Sequence, residues 1–160
     1  MNEEVKYISY EEAISVYAKM IDASDGGFDG VRDEGGIRAA LEFVQNDMYY
    51  PNFSDKLCSL VYKFCSGHYF NDGNKRIALT LGTYFLHKNS YFWQATIFMR
   101  QMESIVYHVA ASNIDKDLLL RIMNCFMNGE DYDEELKIDI ANAMSKGELG
   151  INGEDYKVKD

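Results

Sequence analysis

Residues 67–79 read GHYFNDGNKRIAL and place many hydrogen-bonding side chains directly before an apolar helical pattern. Apolar residues recur at helical spacing on both sides of this run, in residues 55–66 and 77–86. The polar run itself breaks that periodicity. The pattern predicts a loop between two buried helices, with Gly73, Asn74 and Lys75 forming the first turn of the second helix.

The rest of the chain also favours helices. It contains a single proline, and its long apolar patterns have helical rather than strand spacing. We expect a capping box of Ser9 and Glu12 at the first helix, and we expect Ser54 to cap the helix that precedes the polar run. The predicted fold is all-α, with further helices near residues 9–22, 37–46, 55–67, 94–112, 115–127 and, more weakly, 134–146.

A glycine-rich segment follows the first predicted helix. Residues 26–36, GGFDGVRDEGG, contain five glycines and cannot be helical throughout. Phe28 and Val31 are spaced so that they can pair across a short hairpin. We therefore expect a glycine-rich β-hairpin flap here.

Composition restricts the class of protein. The 160 residues, 47% of them hydrophobic, suit one domain with a buried core. The net charge of −10 disfavours nucleic acid and anionic membranes as partners. No stretch reaches the roughly 18 apolar residues of a membrane span, and the first residues lack an apolar signal-peptide core, so the expected location is cytoplasmic.

Cys58, Cys65 and Cys125 lack CxxC spacing and are expected to be small apolar residues rather than disulfides or zinc ligands.

The polar run combines residue types that handle phosphate. The first N–H groups of a helix have no partner within the helix and attract anions, and Gly73 lets the backbone approach closely. Lys75 and Arg76 add positive charge on the same turn. Asp72 is a hard oxygen ligand suited to magnesium, and His68 has a side chain suited to accept a proton near neutral pH. Together these groups are the parts that phosphoryl or nucleotidyl transfer requires.

Each residue also has an ordinary structural interpretation. His68 alone would be a polar residue at a helix end, and Asp72 or Asn74 alone would be a helix cap. Lys75 and Arg76 alone would form a solvated helix face. Phe70 is expected to be a core anchor that fixes the loop under either interpretation. The combination, rather than any single residue, favours a phosphate site.

The segment HYFNDGNKR, residues 68–76, resembles the signature of the Fic/Doc superfamily, His-x-Phe-x-Asp/Glu-Gly-Asn-Gly/Lys-Arg. The resemblance extends to the flap segment GVRDEGGIRAALEFVQ and to the helix RIALTLGTYFLHKNSY, and it covers about residues 7–127. It implies a Fic/Doc helical bundle over residues 1–128, followed by an acidic C-terminal extension over residues 129–160. For that extension we expect a weak helix and then loop or disorder.

The resemblance also implies a role for each residue of the motif. His68 would be the general base acting on a hydroxyl of a target protein, and Asp72 would hold Mg²⁺. Asn74 and the amides around Gly73 would bind phosphate oxygens, and Arg76 would bind a nucleotide phosphate. Phe70 would be structural.

Lys75 separates two branches of the resemblance. Most Fic enzymes, which transfer AMP from ATP to a protein, have glycine there, whereas death-on-curing (Doc) toxins have lysine. The leading hypothesis is a Doc-type toxin that transfers the γ-phosphate of ATP to a Ser or Thr of a translation factor, elongation factor Tu being the target that the family suggests. The alternatives are an AMP transferase, another nucleotide-dependent transfer reaction, and a non-catalytic helical interaction module.

A further expectation concerns control of the activity. Many Fic enzymes carry an inhibitory helix of pattern Ser/Thr-x-x-x-Glu-Gly/Asn, and no Ser or Thr of these 160 residues is followed four positions later by glutamate. The resemblance to Doc toxins therefore implies a separate antitoxin, supplied in trans, as a partner besides the target protein.

Overall fold

The computed structural model describes residues 4–23 and 30–148. These residues form seven α-helices and no strand, so the prediction of an all-α fold is confirmed within the described part of the chain. The helices are α1 (Tyr10–Ala23), α2 (Glu34–Phe43), α3 (Phe53–Ser66), α4 (Asn74–Lys88), α5 (Phe92–Ala110), α6 (Lys116–Asn128) and α7 (Glu134–Glu148).

Helices α3, α4 and α5 form the centre of the bundle. Helix α4 packs most extensively against α3 and α5, and its residues Ile77, Leu81 and Leu86 are completely buried. Gly82 lies in the middle of α4, where glycine is normally unfavourable. A Cβ atom at this position would lie 2.6 Å from Cε2 of Phe98, so the glycine lets α4 and α5 approach closely.

The helix starts agree with the sequence patterns at some positions and differ at others. The capping box of Ser9 and Glu12 is confirmed, with the Glu12 N–H donating to Ser9 Oγ at 3.1 Å and the Ser9 N–H donating to Glu12 Oε1 at 3.2 Å. The prediction that Ser54 caps α3 is wrong. Asn52 is the N-cap residue, and Ser54, inside the first turn, donates its hydroxyl to Asn124 Oδ1 at 2.6 Å, a partner far along the chain.

The glycine-rich flap is described only in part. Residues 24–29, which include Phe28, lie outside the described residues, so the predicted hairpin stays a prediction. Val31 forms an isolated antiparallel bridge with Phe70. The Asn71 N–H donates to the Gly30 carbonyl at 3.0 Å, and the Arg32 N–H donates to the Tyr69 carbonyl at 2.8 Å. The start of the segment that leads into α2 is therefore tied to the loop between α3 and α4.

Helix α7 packs against α5 and α6. Leu136, Ile140 and Ala143 are buried within the core cluster, and Arg121 of α6 pairs with Asp139 of α7 at 2.7 Å. The predicted helix near residues 134–146 is thus present, and it adds apolar residues to the core. The boundary after residue 128 stays a prediction. The loop or disorder expected beyond the helix falls in residues 149–160, outside the described part.

The three cysteines are free thiols. Cys58 and Cys65 are buried, as expected of small apolar residues, and Cys125 is partly buried. Burial raises the pKa of the Cys58 thiol to about 12. None of the described helices combines the length and the hydrophobicity that crossing a bilayer requires.

Candidate active site

The loop between α3 and α4, residues 67–73, is anchored from below by aromatic side chains. Phe70 is almost completely buried, and its ring stacks on that of Tyr17 from α1 with centroids 4.0 Å apart. The Tyr17 hydroxyl also donates to the backbone carbonyl of Asp72 at 3.0 Å. Tyr17 therefore holds the loop at two points, and the structural role predicted for Phe70 agrees with this burial.

Asn74, the first residue of α4, holds the same loop from its other end. Its Oδ1 accepts from the Phe70 N–H at 3.2 Å, and its Nδ2 donates to the Phe70 carbonyl at 3.0 Å. This pair of hydrogen bonds satisfies both backbone groups of a residue that lies outside any helix. The sequence did not predict this contact, and phosphate binding by Asn74 stays a prediction.

The start of α4 leaves backbone and charged groups beside an open space. Gly73 is the N-cap residue with φ of +80°, a conformation that favours glycine, and its carbonyl accepts the first helical hydrogen bond from the Ile77 N–H. Asp72 Oδ1 accepts from the Gly73 N–H at 2.8 Å, and Oδ2 lies 3.6 Å from Arg76 Nη2. The side chains of Asp72 and Arg76 are 43% and 42% exposed, so ligands have access to both.

His68 lies on the rim of the loop. Its side chain is exposed, and its backbone has φ of +52°, a conformation that is unfavourable for residues with a Cβ atom. The neighbouring Tyr69 turns its ring inward, with an edge contact to Phe64 at 5.3 Å between centroids. A Cβ atom at Gly67 would lie 2.4 Å from the Tyr69 ring, so the close turn beneath His68 requires glycine there. The inward Tyr69 and the outward His68 follow from this tight turn.

A cavity of about 710 Å³ lies beside the loop. It brings together every polar residue that the sequence assigned to the phosphate site, whereas Phe70 lies beneath the loop and does not line the space. Sequence reasoning missed the residues of α5 that also line the cavity, because they lie in an ordinary amphipathic helix about 30 positions downstream. The lining residues are Cys65, His68, Asn71, Asp72, Gly73, Asn74, Lys75, Arg76, Leu79, Glu103, Val106, Tyr107 and Ala110.

The lining of the cavity includes two cations and a buried thiol. Lys75 and Arg76 lie on the α4 side, next to the N-terminal end of the helix dipole. Cys65 is not a candidate nucleophile, because burial raises the pKa of its thiol to about 11 even though the charge of Lys75 lowers it. Its sulfur lies 3.3 Å from the Val106 carbonyl. The α4 side of the cavity is therefore suited to bind an anion.

The described residues contain no group of three or more His, Cys, Asp or Glu side chains that could hold a metal ion by themselves. Asp72 is nevertheless a partly exposed carboxylate at the cavity. Mg²⁺ in nucleotide sites is often held by only one or two carboxylates, with phosphate oxygens and water as the other ligands. Asp72 fits that mode of binding and does not fit a preformed cage.

Comparisons with known proteins agree with the fold and with the motif. The model of the Fic/DOC family matches residues 7–86, half of the chain. A protein named Toxin Doc from Mycolicibacterium smegmatis is 33% identical over 96 residues, covering 58% of this chain and 74% of the relative. A protein named Protein kinase doc from Escherichia phage P1 is 35% identical over 88 residues, covering 53% of this chain and 69% of the relative. With its helical bundle and its motif at the start of α4, the chain belongs to the Fic/DOC family.

Proposed function

We propose that this protein is a Doc-type toxin that transfers the γ-phosphate of ATP to a Ser or Thr hydroxyl of a target protein. The observation that supports this most is the cavity at the start of α4, where His68, Asp72 and the cations of α4 lie together. Two relatives bearing the names Toxin Doc and Protein kinase doc support the same direction. Elongation factor Tu, the target that the family resemblance implies, is the first candidate acceptor.

In the proposed reaction, the phosphates of ATP bind on the α4 side of the cavity. The N–H groups around Gly73 and the side chains of Lys75 and Arg76 hold phosphate oxygens. His68 takes the proton of the target hydroxyl. The hydroxyl oxygen then forms a bond to the γ-phosphorus, the bond from that phosphorus to the bridging oxygen breaks, and ADP leaves.

Magnesium is the cofactor that Asp72 would hold in this reaction. When bound, Mg²⁺ neutralises part of the negative charge of the phosphates. The chain's own contribution is one carboxylate, which the Tyr17 hydroxyl and Asn74 help to position by fixing the backbone around it.

Lys75 favours phosphate transfer over AMP transfer. A lysine side chain occupies space and adds a charge where glycine would admit the α- and β-phosphates. An AMP transferase is the second candidate. Membership of the Fic/DOC family does not separate the two reactions, and the motif residues other than Lys75 could serve either one. A non-catalytic module has no need of His68, Asp72 and Arg76 around one cavity.

Control by a second protein completes the proposal. Within the described residues, the acidic side chain paired with Arg76 is Asp72, one turn earlier on the same segment. A glutamate from an inhibitory helix of the usual pattern is absent from the sequence. We infer that an antitoxin supplied in trans restrains the activity in the cytoplasm.

Labelled ATP separates the candidate functions. Purified protein is incubated with elongation factor Tu, Mg²⁺ and ATP labelled at either the α- or the γ-phosphate, with the His68→Ala variant as control. We expect label on the acceptor from γ-labelled ATP alone. Label from α-labelled ATP would establish AMP transfer instead, and no label on this factor or on any protein of a cell extract would contradict both reactions.

A further inference from the structure

The α5 wall of the cavity is built from a single helical stripe. Glu103, Val106, Tyr107 and Ala110 follow the i, i+3, i+4, i+7 spacing that places residues on one face of a helix, and all four line the cavity. Glu103 is exposed. Among the residues that the structure describes, none forms an ion pair or a hydrogen bond with its side chain. An acceptor-only carboxylate on this wall is therefore available to a ligand.

The two walls of the cavity favour different chemical groups. The α4 wall carries Lys75 and Arg76 at a helix N-terminus and attracts phosphate. The α5 wall carries a negative charge beside the apolar side chain of Val106 and the ring of Tyr107, and its carboxylate repels phosphate. A ligand that fits both walls at once has an anionic end and a neutral end with apolar surface and hydrogen-bond donors. A nucleoside triphosphate has this division.

We propose that Glu103 binds the ribose of the nucleotide donor, its carboxylate accepting hydrogen bonds from the 2′- and 3′-hydroxyl groups. The inference rests on the proposed function, because it takes the donor to be a nucleotide whose phosphates bind on α4. Acidic side chains bind ribose hydroxyls in this way in dinucleotide-binding folds. Val106 is completely buried, so the partly exposed ring of Tyr107 supplies the surface beside the sugar. Glu103 thereby orients the nucleotide, with its phosphate chain toward Lys75 and Arg76.

Three ligands separate ribose recognition from phosphate recognition. Binding of ATP, 2′,3′-dideoxy-ATP and inorganic tripolyphosphate is measured by calorimetry with the full chain in the presence of Mg²⁺. Hydrogen bonds to a charged group are among the stronger ones, so we expect the wild-type protein to bind ATP about tenfold more tightly than the dideoxy nucleotide. The Glu103→Ala variant should lose about tenfold for ATP and show almost no preference between the two nucleotides.

Tripolyphosphate binding distinguishes a ribose contact of Glu103 from a purely structural role, because a structural role would weaken the binding of all three ligands. Removal of a negative charge from the cavity should leave tripolyphosphate binding to Glu103→Ala unchanged or slightly tighter. Glu103→Gln, which keeps an acceptor oxygen, should retain part of the preference for ATP. Glu42→Ala removes an exposed carboxylate of α2 that does not line the cavity, and it should bind all three ligands like the wild type.

The outcomes distinguish this inference from the proposed function. Equal affinity of the wild type for ATP and dideoxy-ATP, or a matching loss of tripolyphosphate binding in Glu103→Ala, would overturn the role of Glu103 while leaving the phosphate site intact. A wild-type protein that binds neither ATP nor tripolyphosphate would contradict the proposed function itself. In the transfer assay, Glu103→Ala should raise the KM for ATP about tenfold and change kcat by less than about twofold. The reason is that the ribose contact is equally strong in the bound ground state and in the transition state.

Discussion

The two loops on either side of α3 are anchored by different kinds of side chain. In the loop of residues 44–52, the anchor is a charge: Lys56 is 2% exposed, and its Nζ donates to the Val44 carbonyl at 3.1 Å and to Asp47 Oδ1 at 2.8 Å. Burial lowers the pKa of Lys56, but the hydrogen bonds with Asp47 and Tyr7 outweigh it and raise the pKa above its usual value. The charged form of Lys56 is thus part of the fold.

The loop of residues 67–73 is anchored by neutral groups instead. The Phe70 ring, the Tyr17 hydroxyl and the Asn74 amide hold its backbone. Neutral anchors avoid most of the desolvation cost that a buried charge incurs. They also leave His68 and the charged residues of the motif at the cavity. The charges that we propose bind ligands are therefore separate from the charge that holds the loop of residues 44–52.

The largest expected effect comes from removing the proposed base at the cavity rim. His68→Ala should lower transfer by about 10²–10⁴-fold, because general base catalysis is lost. The thermal denaturation midpoint should stay about the same, since His68 is exposed and alanine is subject to the same backbone constraint at φ of +52°. Wild-type turnover in the purified variant would remove His68 from the mechanism.

Removing the neutral anchor should affect both stability and activity. Phe70→Ala deletes a buried ring that stacks on Tyr17, and it should lower the free energy of unfolding by about 3–5 kcal/mol. Phe70→Leu keeps most of the volume and should cost less than about 1.5 kcal/mol. Denaturant titrations of both variants measure the difference. Equal stability of Phe70→Ala and the wild type would show that Phe70 does not anchor the loop.

Asp72 tests whether its charge serves a ligand rather than the fold. Asp72→Asn keeps an oxygen that can accept from the Gly73 N–H but removes the charge. Loss of even a supporting partner at a metal site costs about 10–100-fold in metal affinity, so we expect half-maximal transfer to need at least about tenfold more Mg²⁺. The magnesium dependence of initial rates gives the answer, and an unchanged dependence would assign Asp72 a purely structural role.

Lys56 provides the opposite case, a charge that serves the fold. Lys56→Met keeps the apolar stem but leaves the buried Val44 carbonyl without this donor, which should cost about 1–3 kcal/mol of unfolding free energy. Transfer per folded molecule should not change, because Lys56 does not line the cavity. A loss of activity at full stability would contradict the separation of roles between the loops.

The smallest effect is expected at Glu12, a second charge within the fold. A hydrogen bond from Lys88, followed by one from Tyr84, lowers the pKa of this carboxyl from 4.5 to about 2. Because the folded-state pKa is depressed, this contribution is complete above about pH 4.5 and is lost as the pH falls toward 2. The pair is partly exposed, so we expect no more than about 1 kcal/mol. The unfolding free energy of Glu12→Gln should differ from that of the wild type at pH 7, and the gap should shrink as the pH falls from about 4.5 through the folded pKa of about 2. A gap that stays constant over this range would contradict the linkage.

Local patterns in the sequence predicted most of the fold. The helices were found because apolar residues recur every three or four positions, and the capping box of Ser9 and Glu12 spans only three residues. Ser54 shows where local reasoning ends. It is a good capping residue by type, but Asn52 occupies the cap position, and the Ser54 hydroxyl binds Asn124, 70 residues away.

The sequence by itself determined the residue types on one side of the candidate site, because the motif places a histidine, a carboxylate, two cations and a helix start within nine consecutive residues. Only the tertiary structure decided what surrounds them. Tyr17 reaches Asp72 across 55 residues, and Glu103 lines the same cavity from a helix that starts 16 residues after the motif ends. These contacts depend on how α1 and α5 pack against α4, and that packing arises from the burial of apolar surface from many residues at once. No local pattern encodes which polar side chains it brings together.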